Sequence, residues 1–166
     1  MLSVDSSNVR ALGGGEKTGK NPVDRGRCGC KHHIATGVTG VPISMRIGPA
    51  NEHDSRMLIP LVDDATDMLL SSGCDRPLMV FADKAYDSRA LREAVKSRQM
   101  IPMLPRRGSD EDRGIGKVRW VVERSFAWLH SFRRLRVRYE RLAMMHEAML
   151  KLGCILVAYR VLNWSL

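Results

Sequence analysis

The segment from Lys117 to Arg141, KVRWVVERSFAWLHSFRRLRVRYER, constrains the rest of the chain most, because its apolar positions recur at helical spacing before arginines take over. It reads as one helix that changes character halfway. Val118, Val121, Val122, Ser125, Trp128, Leu129 and Phe132 gather on one broad side, a face that must pack against a core. Arg119, Glu123, Ala127 and His130 fall on the other side. A carboxylate flanked by Trp120 and Phe126 is costly to bury unless a cation neutralises it, and Arg119 stands one turn earlier. A structural i,i+4 ion pair meets that need, and so does a place in a functional site. A second acid upstream weighs toward the site.

That acid is Asp83, in PLMVFADKAYDS. Leu78 to Ala82 is a short apolar run of strand length, so Asp83 stands at the carboxyl end of a buried strand, where open α/β sheets place their sites. A third acid, Asp5, interrupts the strand-like run MLSVDSSNVRA between Val4 and Val9. Acids on two strands and one helix can converge.

The remaining elements follow in order. Leu2 to Arg10 predicts a first strand, and ALGGGEKTGKNPVDRG a polar, glycine-rich connection. Gly13, Gly14, Gly15, Gly19 and Lys20 lack the order of a phosphate-binding loop, which leaves a flexible loop facing a polyanion. Lys31 to Thr36 and Val41 to Ile47 predict a hairpin. Asp54 or Ser55 opens a helix in which Pro60 sits early and which Gly73 ends. A helix capped by Asp87 or Ser88 runs to Arg98, and a short strand covers Ile101 to Leu104. The segment PRRGSDEDRGIG, Pro105 to Gly116, has the composition of a mobile loop. The predicted order is β-β-β-α-β-α-β-α-α, an α/β mixed sheet flanked by helices.

A chain of 166 residues with 44% hydrophobic content suits a single domain over 1–166 with a real core. The net charge of +9 points to a polyanionic partner, and the lack of long apolar runs favours nucleic acid over membrane. Leu152 to Leu162 is too short to span a bilayer, and no basic leader with an apolar stretch opens the chain; the expectation is a cytoplasmic protein. Cys28, Cys30, His32 and His33 have zinc-ligand chemistry, but a structural site usually pairs CxxC with a distant second pair, so this spacing argues against a metal.

The blocks VDSSNVRA, GKNPVDRGRCGCKHH, GVPISMRIGPANEHDS, FADKAYDSRALR and RWVVERSFAWLHSFRRLRVRYER, in this order over nearly the whole chain, resemble the catalytic half of a bacterial insertion-sequence transposase. The resemblance is to the DDE superfamily, in the group typified by insertion sequence five. It implies a ribonuclease-H-like fold and places Asp5, Asp83 and Glu123 on the family's Asp, Asp and Glu, with Arg119 beside them. It also implies two Mg²⁺ ions, or Mn²⁺ in their place, held by the three acids, because hard cations take oxygen ligands. The implied chemistry is hydrolysis of a strand at the element's end, then transfer of the freed 3′-hydroxyl to target DNA. Implied partners are double-stranded DNA, as transposon end and as target, a second copy on DNA, and the product of an upstream reading frame.

Two departures from the family pattern bear on this. Related helices carry a Tyr, Arg, Glu, Lys series; here Arg119 and Glu123 match, while Gly116 and His130 occupy the Tyr and Lys places. Phosphate contact then falls to Lys20, Arg25, Arg27, Lys31, Arg106, Arg107, Arg124, His130, Arg133, Arg134, Arg136, Arg138 and Arg141. Met1 also lies only four residues before Asp5, so the expectation is that the upstream region recognising DNA ends is absent. The competing reading is a truncated remnant that binds DNA without cutting it.

Overall fold

The computed structural model describes residues 1–106 and 115–164, without the side chains of 115–119 and 164. Its sheet is seven-stranded and mixed, and it is built outward from a pair of long antiparallel strands. β1 (Leu2–Ala11) and β3 (Cys28–Thr36) pair from Ser3↔Thr36 to Arg10↔Gly29. β4 (Pro42–Pro49) and the two-residue β2 (Gly19–Lys20) pair with β3, antiparallel. On the other side of β1, β5 (Met79–Phe81) runs parallel to it and carries β6 (Ile101–Met103) outward. β1, β3 and β4 are antiparallel, and β5 and β6 run parallel to β1 and to each other, so the sheet is mixed as the sequence predicts.

Strand alternation divides the side chains between two cores. Leu2, Val4, Ala35, Val80 and Ala82 face α1 (Ser55–Ser71) and α2 (Arg89–Lys96), where Leu58, Leu61, Val62 and Ala65 repeat at i, i+3, i+4 and i+7. Each fully buried leucine or valine of this stripe contributes about 1.5–3 kcal/mol of transfer free energy. α1 begins at Ser55 and continues through Pro60, so the proline does not delay it. On the opposite face, Ile34 and Ile47 meet α3 (Ile115–His130) and α5 (Ala143–Trp164) through Val122, Phe126, Leu129, Leu150, Cys154 and Val157. This mixed sheet with helices on both faces is the ribonuclease-H-like architecture.

The segment Lys117 to Arg141 departs from expectation. It is not one helix: α3 stops at His130, Arg133–Arg136 form a single turn, α4, and Val137–Arg138 form a seventh strand, β7, parallel to the end of β1. Tertiary contacts override helical propensity here. Arg138 is fully buried, and its guanidinium donates to the carbonyls of Glu140, Glu16 and Arg141. Leu135 must reach the core, where it packs beside Gly153 of α5. The glycine-rich connection is also held rather than free, because Leu12 N–H donates to Arg138 O and Glu16 N–H to Arg141 O. The predicted loop from Pro105 to Gly116 lies largely outside the described residues.

Candidate active site

Two of the three acids follow the paired stretch of β1 and β5. The parallel register is Leu2↔Val80 and Ser3↔Phe81, and Asp5 and Asp83 each come two residues after the second pair. Adjacent strands lie about 4.8 Å apart. Asp5 is opposite Ile34, a residue of the α3–α5 core, so by alternation both acids lean toward the face that carries α3. Each is oriented by the backbone: Asp5 Oδ1 accepts from Ser6 N–H at 2.8 Å, and Asp83 Oδ1 from Ala85 N–H at 2.8 Å, capping the helical turn Lys84–Tyr86.

Tyr86, on that turn, reports the local charge. Its hydroxyl is held well above the usual range, first by burial and then by the negative fields of Asp54, Asp5 and Asp83. Sequence reasoning missed Tyr86 and Asp54, because nothing in their spacing connects them to the acids. Asp54 comes from the start of α1, where it pairs with Lys31 Nζ at 2.8 Å rather than capping the helix.

The third acid, Glu123, sits on α3 next to buried Val122, with its own side chain exposed. Arg119 is on the same helix, and its side chain lies outside the description. α3 itself is fixed to the β3–β4 turn: Ser125 Oγ donates to Gly40 O at 2.6 Å and Arg124 Nη2 to Thr39 O at 2.7 Å. The Arg124 guanidinium lies over Trp120 and Trp128, 4.4 and 4.8 Å from the ring centroids. It therefore clamps its own helix.

The remaining basic candidates fall into two groups. Lys20, Arg25, Arg27, Arg106, Arg133, Arg134, Arg136 and Arg141 are exposed, and Arg133, Arg134 and Arg136 line an open concavity of about 610 Å³ with Val137 and Tyr139. Arg107 lies outside the described residues. Lys31 and Arg138 are committed inside, Lys31 to Asp54 and the Glu52 carbonyl, Arg138 to three carbonyls, so neither presents a cation to a duplex. His130 points inward too, with its ring 5.8 Å from Phe126 and 6.0 Å from His32. Burial, and then the charge of Arg136, hold it below the ordinary histidine range; a neutral imidazole cannot replace a lysine at a phosphate.

The cysteine and histidine run is split by the strand. Cys28 is exposed, Cys30 and His32 face α5, and Lys31 and His33 face the other side. His33 is held down at about 4, chiefly by burial. Across from Cys30 and His32 stands His146, which sequence spacing gave no means of pairing with them.

A mixed sheet of this order, with one acid inside its central strand β1 and another just past the carboxyl end of the neighbouring β5, defines a class, and comparison with known proteins agrees with it. The family model of the transposase DDE domain matches residues 1–158, and the chain belongs to that family of insertion-sequence transposases. It is 46% identical over 152 residues to a Burkholderia cepacia protein assigned as transposase for insertion sequence element IS402, covering 90% of this chain and 72% of that one. It is 32% identical over 124 residues to the transposase for insertion sequence element IS1106 of Neisseria meningitidis serogroup B, covering 68% of this chain and 40% of that one. No helix among the described residues is long and apolar enough to cross a membrane.

Proposed function

We propose that the chain is the catalytic domain of its transposase, that Asp5, Asp83 and Glu123 form one divalent-metal site, and that this site cuts DNA strands and joins them to target DNA. The observation that carries the reading is that Asp5 and Asp83 each follow the last β1–β5 pair, Ser3↔Phe81, by two residues and both act on the buried hydroxyl of Tyr86. The donor set fits the group that the family implies: carboxylate oxygens suit Mg²⁺ or Mn²⁺, whereas a thiol and imidazoles do not. When bound, a pair of such ions makes the attacking oxygen nucleophilic and neutralises the crowded phosphate. The protein's part is orientation. Backbone N–H groups at Ser6 and Ala85 fix one oxygen of each aspartate, and α3, tied to the β3–β4 turn, sets the position of Glu123 and Arg119.

Double-stranded DNA lies across the exposed arginines near the end of β1. Arg10 is five residues from Asp5, about 17 Å along an extended strand, a span matched by about half a turn of duplex. A second copy on the DNA and a product of an upstream frame complete the assembly in this reading. The test is Asp83→Asn, which keeps the side-chain oxygen that caps Ala85. Mg²⁺-dependent nicking should be lost, while DNA binding and the melting temperature without metal hold. Unchanged nicking rejects the assignment; wild-type chain that binds duplex but never nicks it favours the non-catalytic remnant.

A further inference from the structure

A second cluster of ligating side chains lies on the same face of the sheet and plays no part in the proposed chemistry of the acids. Alternation along β3 points Cys30 and His32 toward α5, where His146 meets them. His32 Nε2 is 2.8 Å from His146 Nε2, and one donor atom from each of Cys30, His32 and His146 lies within 4.8 Å of the others. All three residues are buried, at 0% exposure for Cys30, His32 and His146. On the far side of its ring, His146 Nδ1 contacts Glu140 Oε2 at 3.1 Å.

We propose that Cys30, His32 and His146 form a buried site for a borderline-soft transition metal, best matched by Zn²⁺, with Glu140 as the carboxylate that orients its histidine. Three features support it. The donors are one sulfur and two imidazoles, a set that selects zinc and its neighbours and disfavours Mg²⁺. A proton on His146 Nδ1, donated to Glu140, leaves Nε2 with a lone pair directed at His32, the carboxylate–histidine pairing typical of ligating imidazoles. Finally, all three residues are fully buried, so the packing of β3 against α5 holds their donor atoms together.

Without metal, the same geometry requires the His32 Nε2 proton to bridge to His146, leaving His32 Nδ1 as an unpaired acceptor. With metal, His32 carries its proton on Nδ1 and both Nε2 atoms become ligands. Burial holds both imidazoles neutral, which is their ligating form. Binding displaces the Cys30 thiol proton to solvent, because the thiolate is the ligating form. The ion would join β3 to α5 across 114 residues of sequence and tighten the core behind the α3 helix.

The proposal does not rest on the reading of Asp5 and Asp83, and its test separates the two. The full chain is stripped with chelator and titrated with Co²⁺ as an optical stand-in for Zn²⁺, with saturating Mg²⁺ present. One equivalent of Co²⁺ should produce a thiolate-to-cobalt charge-transfer band that Zn²⁺ abolishes by displacement, and Zn²⁺ should raise the melting temperature. Cys30→Ser, close to isosteric, should lose the band and the Zn²⁺-induced rise, whereas Cys28→Ser at an exposed position should keep both. His146→Gln should weaken Co²⁺ binding at least tenfold. A wild-type chain with no band, a band that survives Cys30→Ser, or an affinity unmoved by His146→Gln overturns the site. None of these outcomes bears on DNA nicking, because an all-carboxylate site gives no thiolate band.

Discussion

Glu140 joins three parts of the molecule, and replacing it with Gln has a calculable cost. Its Oε1 accepts from Arg134 Nε at 3.0 Å and from Nη2 of the same side chain, while Oε2 faces Tyr139 N–H at 3.3 Å and His146 Nδ1 at 3.1 Å. Burial pushes its carboxyl up, but hydrogen bonds from Arg134, the backbone and His146 outweigh burial and hold it at about 2, against 4.5 ordinarily. A displacement of that size corresponds to about 3.4 kcal/mol of native-state stability. Arg134 is 59% exposed, so solvent screening brings the expected value nearer 2 kcal/mol. The folded pKa is depressed, so this stability is fully present above pH 4.5 and is lost as pH falls toward 2, with about two-fifths remaining at pH 3. Glu140→Gln should therefore lose about 2 kcal/mol at pH 7, a fall of about 4–8 °C in melting temperature for a domain of this size. Urea unfolding of both proteins in metal-free buffer at pH 7, 4.5 and 3 measures the gap. A gap near zero at pH 7, or one that stays constant down to pH 3, refutes the account.

Two further outcomes are expected. Gly153→Ala places a Cβ 2.5 Å from Leu135 Cδ1 and 3.3 Å from Leu129 Cδ2, and both leucines are buried; overpacking of about 1–3 kcal/mol should outweigh the helix-propensity gain of about 1 kcal/mol, so a raised melting temperature would show that the contact is loose. Replacing exposed Arg133, Arg136 and Arg141 together by Gln should flatten the dependence of log binding constant on log salt by about 2.7 while changing affinity alike for transposon-end and random duplexes, and an unmoved slope in a salt series would place the DNA elsewhere.

Much of the fold was legible because hydrophobic period and element length agree. Leu78 to Ala82 read as a short buried strand; the strand is Met79–Phe81, buried at Val80 and Phe81 with Leu78 and Met79 exposed, and its exit still puts Asp83 just past the carboxyl end, while Asp5 was legible as an acid inside a strand pattern. That both follow the same strand pair required the parallel register of β1 and β5, which no local signal encodes. The same limit hid His146. Cys30 and His32 sit two apart on a strand, so their common face was readable, but their partner comes from a helix at the far end of the chain.

The segment after His130 was misread for a related reason. Arginine-rich stretches interleaved with Phe, Leu, Val and Tyr fit a solvated helix as well as they fit an irregular turn, and only burial separates the two. Arg138 decides it here: a guanidinium that donates to the carbonyls of Glu16, Glu140 and Arg141 holds the chain extended at β7 and pins the glycine-rich connection against it. The arginines are consequently unequal. Arg133, Arg136 and Arg141 stay at the surface and Arg138 serves the interior, while Arg134 is tied through Glu140 to His146. One carboxylate thus sets both the rim of the arginine-lined concavity and the orientation of a buried histidine, so a change at either end of that pair is felt at the other.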